Sequence, residues 1–398
     1  MDVNFQDTLI RREHTALGFG LAENIGKHDY YSHFLAGKVV FRPDKMFEFE
    51  LGQDKHFFGN GYRSLILSDH SDPFPYLKIT TAFWKVKYVN LFAVQRAEQV
   101  PTIWSVDADP LPVDFHLKYT SLHYLSMNFG RRFNLALFES VVWDGTNNEF
   151  DRGFEPRYLN PVIFYRPVEF AIGSPDNVQL GMEASYLLGK HNRVYGQLML
   201  DEFLLSELRA GNGWWGNKYG LQLGILSDDV AGIKGLRIRA EGNVVRPYTY
   251  THGSSIQNYG HFNRALAHPL GANFKEAVLQ VYFKKKRMIY SAQFIIAEKG
   301  YDGLVEGVTN FSNYGGDIFL SNKGVPKNRE YGNFIGQGVN AQNSFAEFKA
   351  AYILNPAMNL AFELGGRNIV FGPDKAINEF QLFVGLKTRL YNRYLDYL

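Results

Sequence analysis

The sequence predicts an all-β chain: a transmembrane antiparallel β-barrel of about 16–18 strands with long extracellular loops. Three observations predict it. Apolar and polar side chains alternate along segment after segment, a period of two that only an extended strand with two unlike faces produces. Short links and long links take turns along the chain. The alternating segments run to about ten residues, the length of a tilted membrane crossing.

The alternation is plainest on either side of GQDKHFFGNGYRSLILSDHSDPFPY, the stretch from Gly52 to Tyr76. Before it, Phe47, Phe49 and Leu51 point one way, and Glu48, Glu50, Gly52 and Asp54 the other. After it, Leu77, Ile79, Thr81 and Phe83 resume the pattern. The intervening chain is rich in Gly, Pro, Asp and Ser, which is loop chemistry.

Taken in order, the opening MDVNFQDTLIRR shows no pattern, and Thr15–Ala22 fits a short Gly-rich strand. Phe34–Phe41 and Met46–Asp54 form a hairpin across Arg42 to Lys45. Leu77–Trp84 pairs with Tyr88–Arg96, and Ser121–Phe129 with Phe133–Val142 across Gly130 to Arg132. Val178–Leu188 pairs with Val194–Phe203, and Tyr219–Leu226 with Leu236–Val245. Ala277–Lys284 and Met288–Ala297 follow, then Ser344–Leu354 and Met358–Leu364 across Asn355-Pro356. Phe380–Leu390 closes the chain. The long connections are 55–76, 97–120, 143–177, 204–218, 246–274, 298–343 and 365–379. Outer-membrane barrels place their short turns on the periplasmic side and their long loops outside. Tyr158–Phe170 would spoil this parity as a strand. With Pro161 and Pro167 inside it, it is expected to be a loop or short helix at the pore mouth. Residues 1–33 are expected to form an N-terminal extension with room for a first strand, and 34–398 the barrel.

Composition agrees. Aromatics make up 16% of the 398 residues, with 24 Tyr and 33 Phe, an excess suited to interfacial girdles. No apolar run is long enough for a transmembrane helix, and alternation hides a lipid face from hydropathy averages. The 42 basic and 40 acidic residues leave a formal charge of +2, without the basic block a nucleic acid would need. The chain has no Cys, hence no disulfide framework. No signal peptide is visible at Met1, so a barrel of this kind is expected to have lost an export signal. Two-faced segments such as Leu236–Val245, with Arg237, Arg239, Glu241 and Asn243 opposite Leu236, Ile238, Ala240 and Val244, also fit a soluble sandwich. There the apolar side would be the core.

At family level, GQDKHFFGNGYRSLILSDHSDPFP resembles the signature of Wzi-type capsule-assembly proteins, in the branch associated with gliding-motility bacteria. Tyr158–Phe170, LDEF at Leu200–Phe203, GWWGNK at Gly213–Lys218, RPYTY at Arg246–Tyr250, LAHPLGAN at Leu266–Asn273 and the terminal LKTRLYNRYLDY resemble it too. The resemblance implies an 18-stranded outer-membrane barrel acting as a lectin for exported capsular polysaccharide. Phe57-Phe58 stands where the capsule proteins are expected to carry Trp, a departure that bears on sugar specificity.

Candidate glycan contacts are Trp143, Trp214 and Trp215, whose rings could stack on sugars. Arg157, Arg166 and Arg246 could fork onto sugar carboxylates, and Tyr248 and His252 share the Arg246 loop. Each has a plainer reading, as a loop anchor, girdle residue or internal ion partner. His252, His261 and His268 lack the spacing of a metal site, and Asp302 and Asp317 lack that of an EF-hand. No G-x-S-x-G or phosphate loop occurs. The expected function is therefore non-enzymatic, without metal or cofactor. The expected partners are surface or capsular polysaccharide, outer-membrane lipid and lipopolysaccharide, and other surface or secretion proteins, not nucleic acid. A basic mouth would make glycan binding salt-sensitive. A diffusion porin and a structural subunit of a motility or secretion complex are the alternatives.

Overall fold

Alternation becomes a sheet in the computed structural model. It describes residues 15–16, 20–25, 30–32, 35–98, 115–145, 153–163, 173, 176–303, 312–323, 325, 329–373, 377–388 and 396. The strands are β1 (Thr15–Ala16), β2 (Gly20–Asn24), β3 (Tyr30–Ser32), β4 (Gly37–Phe41), β5 (Phe47–Asp54), β6 (Phe74–Phe83), β7 (Val86–Glu98), β8 (Phe115–Phe129), β9 (Phe133–Asp144) and β10 (Asn177–Leu188). They continue with β11 (Asn192–Leu200), β12 (Tyr219–Asp228), β13 (Leu236–Val245), the two-residue β14 (Gly260–His261) and β15 (Arg264–Ala265), β16 (Phe274–Lys285), β17 (Met288–Tyr301), β18 (Val339–Asn355), β19 (Leu360–Phe371) and β20 (Ile377–Thr388). One short helix, α1 (Leu205–Ala210), lies between β11 and β12.

Fifteen strands, β4–β13 and β16–β20, form one antiparallel sheet in chain order, and β1–β3 form a second, so eighteen strands take part in the two. Thr15–Ala22, expected as one strand, is the β1–β2 hairpin. The links alternate between the two ends of the sheet, and the long ones all fall at one end, as outer-membrane barrels arrange them; 365–379, expected as a long connection, is instead the five-residue link 372–376, because β19 and β20 extend into it.

The faces decide between barrel and sandwich. On β12 and β20 the apolar residues are the exposed ones, with Leu223 at 68% and Leu382 at 76%. The polar face of the same wall is buried: Glu241 is 4% and Asn243 0% exposed. A soluble sandwich would bury the leucines and solvate the carboxylates. Here the exterior is hydrocarbon-compatible and the interior polar, which is the construction of a transmembrane barrel. Bulky rings gather near the short turns, where Phe83, Trp84, Phe129 and Tyr290 are all exposed, as an interfacial girdle requires.

The largest extensions beyond the expected strand ends run toward the long loops. β8 starts at Phe115 rather than Ser121, β17 reaches Tyr301, β18 starts at Val339, and β19 reaches Phe371. Sequences such as Asn340-Ala341-Gln342-Asn343 lack a large apolar face, so alternation fades there. The backbone ladder continues regardless, with Gly300 opposite Asn340 and Lys299 opposite Ala341.

Candidate functional site

Described parts of the chain's own long connections enter the lumen. Residues 55–73, between β5 and β6, fold inward, and Ser64, Leu65 and Ile66 are fully buried. Phe58 N–H donates to Leu67 carbonyl at 2.9 Å, closing the excursion on itself. It then spends its polar groups on the barrel wall. The Tyr62 and Arg63 amides donate to Glu241 on β13 at 2.7 and 3.0 Å. Leu65 N–H donates to Gln197 on β11 at 2.8 Å, and Gln222 on β12 donates to Arg63 carbonyl at 3.0 Å. Gly61 permits this approach, because a Cβ there would stand 2.6 Å from the Glu241 carboxylate.

Arg63 is the hub. Its guanidinium lies 3.2 Å from Glu276 on β16 and 2.7 Å from Asp396, near the C-terminus. Asp396 also accepts from the Tyr62 hydroxyl at 2.8 Å and from Gln293 on β17 at 3.1 Å. Since β20 leaves the sheet at the short-turn end, Asp396 marks a return of the chain into the lumen beneath the 55–73 excursion. A charged group in such a place persists only when paired.

A second excursion, 246–273, interlocks with the first. The Tyr250 hydroxyl donates to Leu65 carbonyl at 2.7 Å and that of Tyr259 to Ile66 carbonyl at 2.8 Å. Ser68 N–H donates to Leu266 carbonyl at 2.7 Å. His268 bonds Glu276 at 2.8 Å, and His261 Nδ1 accepts from Arg96 N–H at 3.0 Å. Burial pushes His56 and His261 down to about 3 and lowers His70 and His268. These rings are therefore neutral structural groups with separate partners.

A third insertion holds part of the anomalous Tyr158–Phe170 segment. Pro156–Leu159 is a 3-10 turn, and Tyr158 is buried, its hydroxyl donating to Asp176 at 2.6 Å. Its carbonyl accepts from Ser121 at 2.7 Å.

The candidate glycan residues divide. Trp143 is 1% exposed. Its ring lies 4.8 Å from Tyr158 and 5.6 Å from Tyr119, and its N–H donates to Gly153 carbonyl at 3.3 Å. No face is left for a sugar, so Trp143 is a loop anchor. Tyr248 is likewise buried at 0%, its hydroxyl donating to Asn313 carbonyl at 3.0 Å. Arg157 is exposed on a separate loop and forks onto Glu155 at 2.8 Å through Nε and Nη2. Arg166 lies outside the described residues. His252 is half-buried, its Nδ1 accepting from Ser254 N–H at 3.1 Å, and burial lowers it to about 4.

Trp214, Trp215 and Arg246 come together at the long-loop end, both tryptophans partly buried. The rings lie 6.2 Å apart, and Trp215 meets the buried Tyr248 edge-on at 5.8 Å. Arg246 donates to Trp214 carbonyl at 3.2 Å and lies 5.6 Å over the Tyr219 ring. Lys218 Nζ, bonded to Glu202 at 3.1 Å, sits 5.3 Å from the Trp215 centroid. The tryptophan loop is held by a distant one: Trp215 N–H donates to Glu330 carbonyl at 2.9 Å, and Asn333 N–H to Gly213 carbonyl at 2.9 Å. Beside it Arg329 lies 4.2 Å over the Tyr314 ring. Sequence reasoning missed Tyr314, Arg329 and Asn333, since no local pattern connects them to Trp214. Asp302 proves structural too, its carboxylate accepting from the amides of Tyr314, Gly316 and Asp317.

No family model and no curated protein matches the chain. Among solved structures it is similar to Wzi of Escherichia coli, described as an outer-membrane protein involved in group 1 capsule assembly and a carbohydrate-binding β-barrel. The match has 11% identity and a TM-score of 0.51, covering 92% of this chain and 70% of that one. It is also similar to two Pseudomonas aeruginosa proteins. OprD matches at 11% identity and TM-score 0.45, covering 89% of this chain and 78% of that one. OccK5 (OpdH) matches at 10% and 0.44, covering 89% and 81%. At such identities the likeness to Wzi speaks for the fold: this is a β-barrel of the outer-membrane type.

Proposed function

We propose that this barrel binds surface polysaccharide at its long-loop end, as a non-enzymatic, Wzi-type protein of the branch associated with gliding-motility bacteria. The observation that carries the reading is the Trp214–Trp215 pair, two partly exposed tryptophans held by backbone bonds to residues 330–333 beside Arg246. Ring faces suit the apolar C–H faces of sugars, and repeated sugar units would supply avidity that one shallow contact lacks. The chain within the lumen favours this over diffusion, since 55–73 and 246–273 occupy space a porin keeps for solute. The branch assignment rests on the sequence resemblance, and the carbohydrate reading leans also on what Wzi is described as binding.

The test is retention of the host's surface polysaccharide on the purified, detergent-solubilised barrel, at low and high salt. Two stacking rings contribute about 1–3 kcal/mol, so Trp214→Ala/Trp215→Ala weakens retention roughly tenfold. No retention by the native barrel at either salt sinks the glycan reading. A stoichiometric protein captured in its place would favour the structural-subunit alternative.

A further inference from the structure

Among the described residues, exposed cations are most numerous at the end opposite the tryptophans. The β16–β17 hairpin turns on Lys284-Lys285-Lys286-Arg287, all exposed, and Lys234 on the adjacent turn is exposed too. The two turns are joined where Lys284 N–H donates to Gly235 carbonyl at 3.0 Å. None of these five makes an ion pair among the described residues. The nearby acids are engaged: Asp228 pairs with Arg237 at 2.6 Å, and Asp229 accepts from Gly235 N–H at 2.7 Å. Lys286 adopts φ +54°, a left-handed conformation that Gly or Asn holds with less strain.

Directly above this turn the lipid-facing wall is hollowed. A cavity of 400 Å³ opens between Phe283, Tyr290, Phe348 and Leu364, floored by Ala292 and Ala350. A second, of 580 Å³, continues up the wall over Ala240, Gly242 and Ala277, between Leu223, Leu279 and Phe294. Both are lined mainly by the outward-facing residues of the strands. Small side chains form the floor and large ones the walls.

From this geometry we infer an anionic phospholipid site on the outer wall. Its phosphate headgroup sits on Lys234 and Lys284–Arg287, and an acyl chain lies along the two hollows. Only an amphiphile meets both halves: a soluble acidic protein would satisfy the cations but has no hydrocarbon for a cavity inside the bilayer. Juxtamembrane Lys and Arg clusters attract anionic headgroups, and long cationic side chains reach the headgroup level while their stems cover apolar wall. The site faces the leaflet at the short-turn end, independent of any glycan at the other.

The experiment counts lipids retained by the full-length barrel after purification in equimolar phosphatidylglycerol and phosphatidylcholine, by native mass spectrometry. Phosphatidylglycerol is expected in about tenfold preference, which Lys284→Gln/Lys285→Gln/Lys286→Gln reduces to within twofold. Arg209→Gln/Lys275→Gln/Lys323→Gln, the same charge change at the other end, leaves the preference intact. Lys286→Asn relieves the backbone and still lowers retention, separating loss of charge from loss of fold. Ala292→Phe, which fills the lower hollow, lowers retention of both lipids. Equal retention of the two lipids by the native barrel overturns the site. So does an unchanged preference in the triple Gln variant, or displacement of the lipid by equimolar glycerophosphate, which has the charge without the tails.

Discussion

The excursion 55–73 and the loop 201–218 have similar composition and opposite fates. Both are rich in Gly, aromatics and charge. The first turns its hydrogen-bonding groups inward: Arg63 to Glu276 and Asp396, its amides to Glu241. The second holds the partly buried Trp214 and Trp215 on a backbone bonded to residues 330–333, another long loop, rather than to the barrel wall. Composition brought both to the long-loop end; partners on the barrel wall drew one of them in. Substitutions in the excursion should therefore cost stability and closure, and substitutions in the tryptophan loop should cost ligand.

The largest expected effect breaks the hub. Arg63→Ala leaves Glu276 and Asp396 buried without their cation, a loss of about 3–5 kcal/mol. It should appear as a lower unfolding midpoint together with new channel openings in planar bilayers. Next comes the wall itself. Ile296→Arg on the lipid face should cost about 2–4 kcal/mol, while Gln280→Arg, on the opposite face of the adjacent strand, should cost much less. Reversible folding into vesicles measures both, and equal costs would return the soluble sandwich to contention.

Acid separates the regions by sign. His56 and His261 sit at about 3 through burial, below the ordinary 6.5. Their contribution is fully present above pH 6.5 and is lost as pH falls toward 3. Asp201, which accepts from Tyr250 N–H at 2.8 Å, is pushed the other way by burial, up to about 7. Its contribution is present below about 3.8 and is lost as pH rises through about 7. Lowering pH from 7 to 4 should thus raise conductance, an effect His261→Gln blunts. Raising pH through 7 should loosen the mouth, read by Trp fluorescence and absent in Asp201→Asn. The smallest effect on stability is the Trp214→Ala/Trp215→Ala pair, within about 1 kcal/mol at partly exposed positions, although it dominates glycan retention.

Much of the fold was legible because alternation reports the lipid face directly: Phe380, Leu382, Val384 and Leu386 are all exposed, as their spacing required. Strand ends were not, because above the bilayer neither face needs large apolar groups and only the backbone ladder continues. The lumen was hidden as well. Arg63 finds its carboxylates on β16 and near the C-terminus, and no local pattern encodes a partner more than two hundred residues away. A separation of more than a hundred residues likewise hid Asn333 from Trp214. Among the described residues, the densest group of exposed cations without an ion pair is at the short turns, Lys284 to Arg287, whereas the loop end carries the scattered Arg209 and Lys323, and Lys275 there is paired with Glu298.

The most direct test of the central claim, a barrel closed by its own chain and used from its surface, is single-channel conductance in planar bilayers at neutral pH. The native barrel should show no sustained open-channel steps, and a variant in which residues 56–72 are replaced by a short Gly-Ser turn should show them. Porin-like conductance from the native protein, unchanged in that variant, would contradict the account.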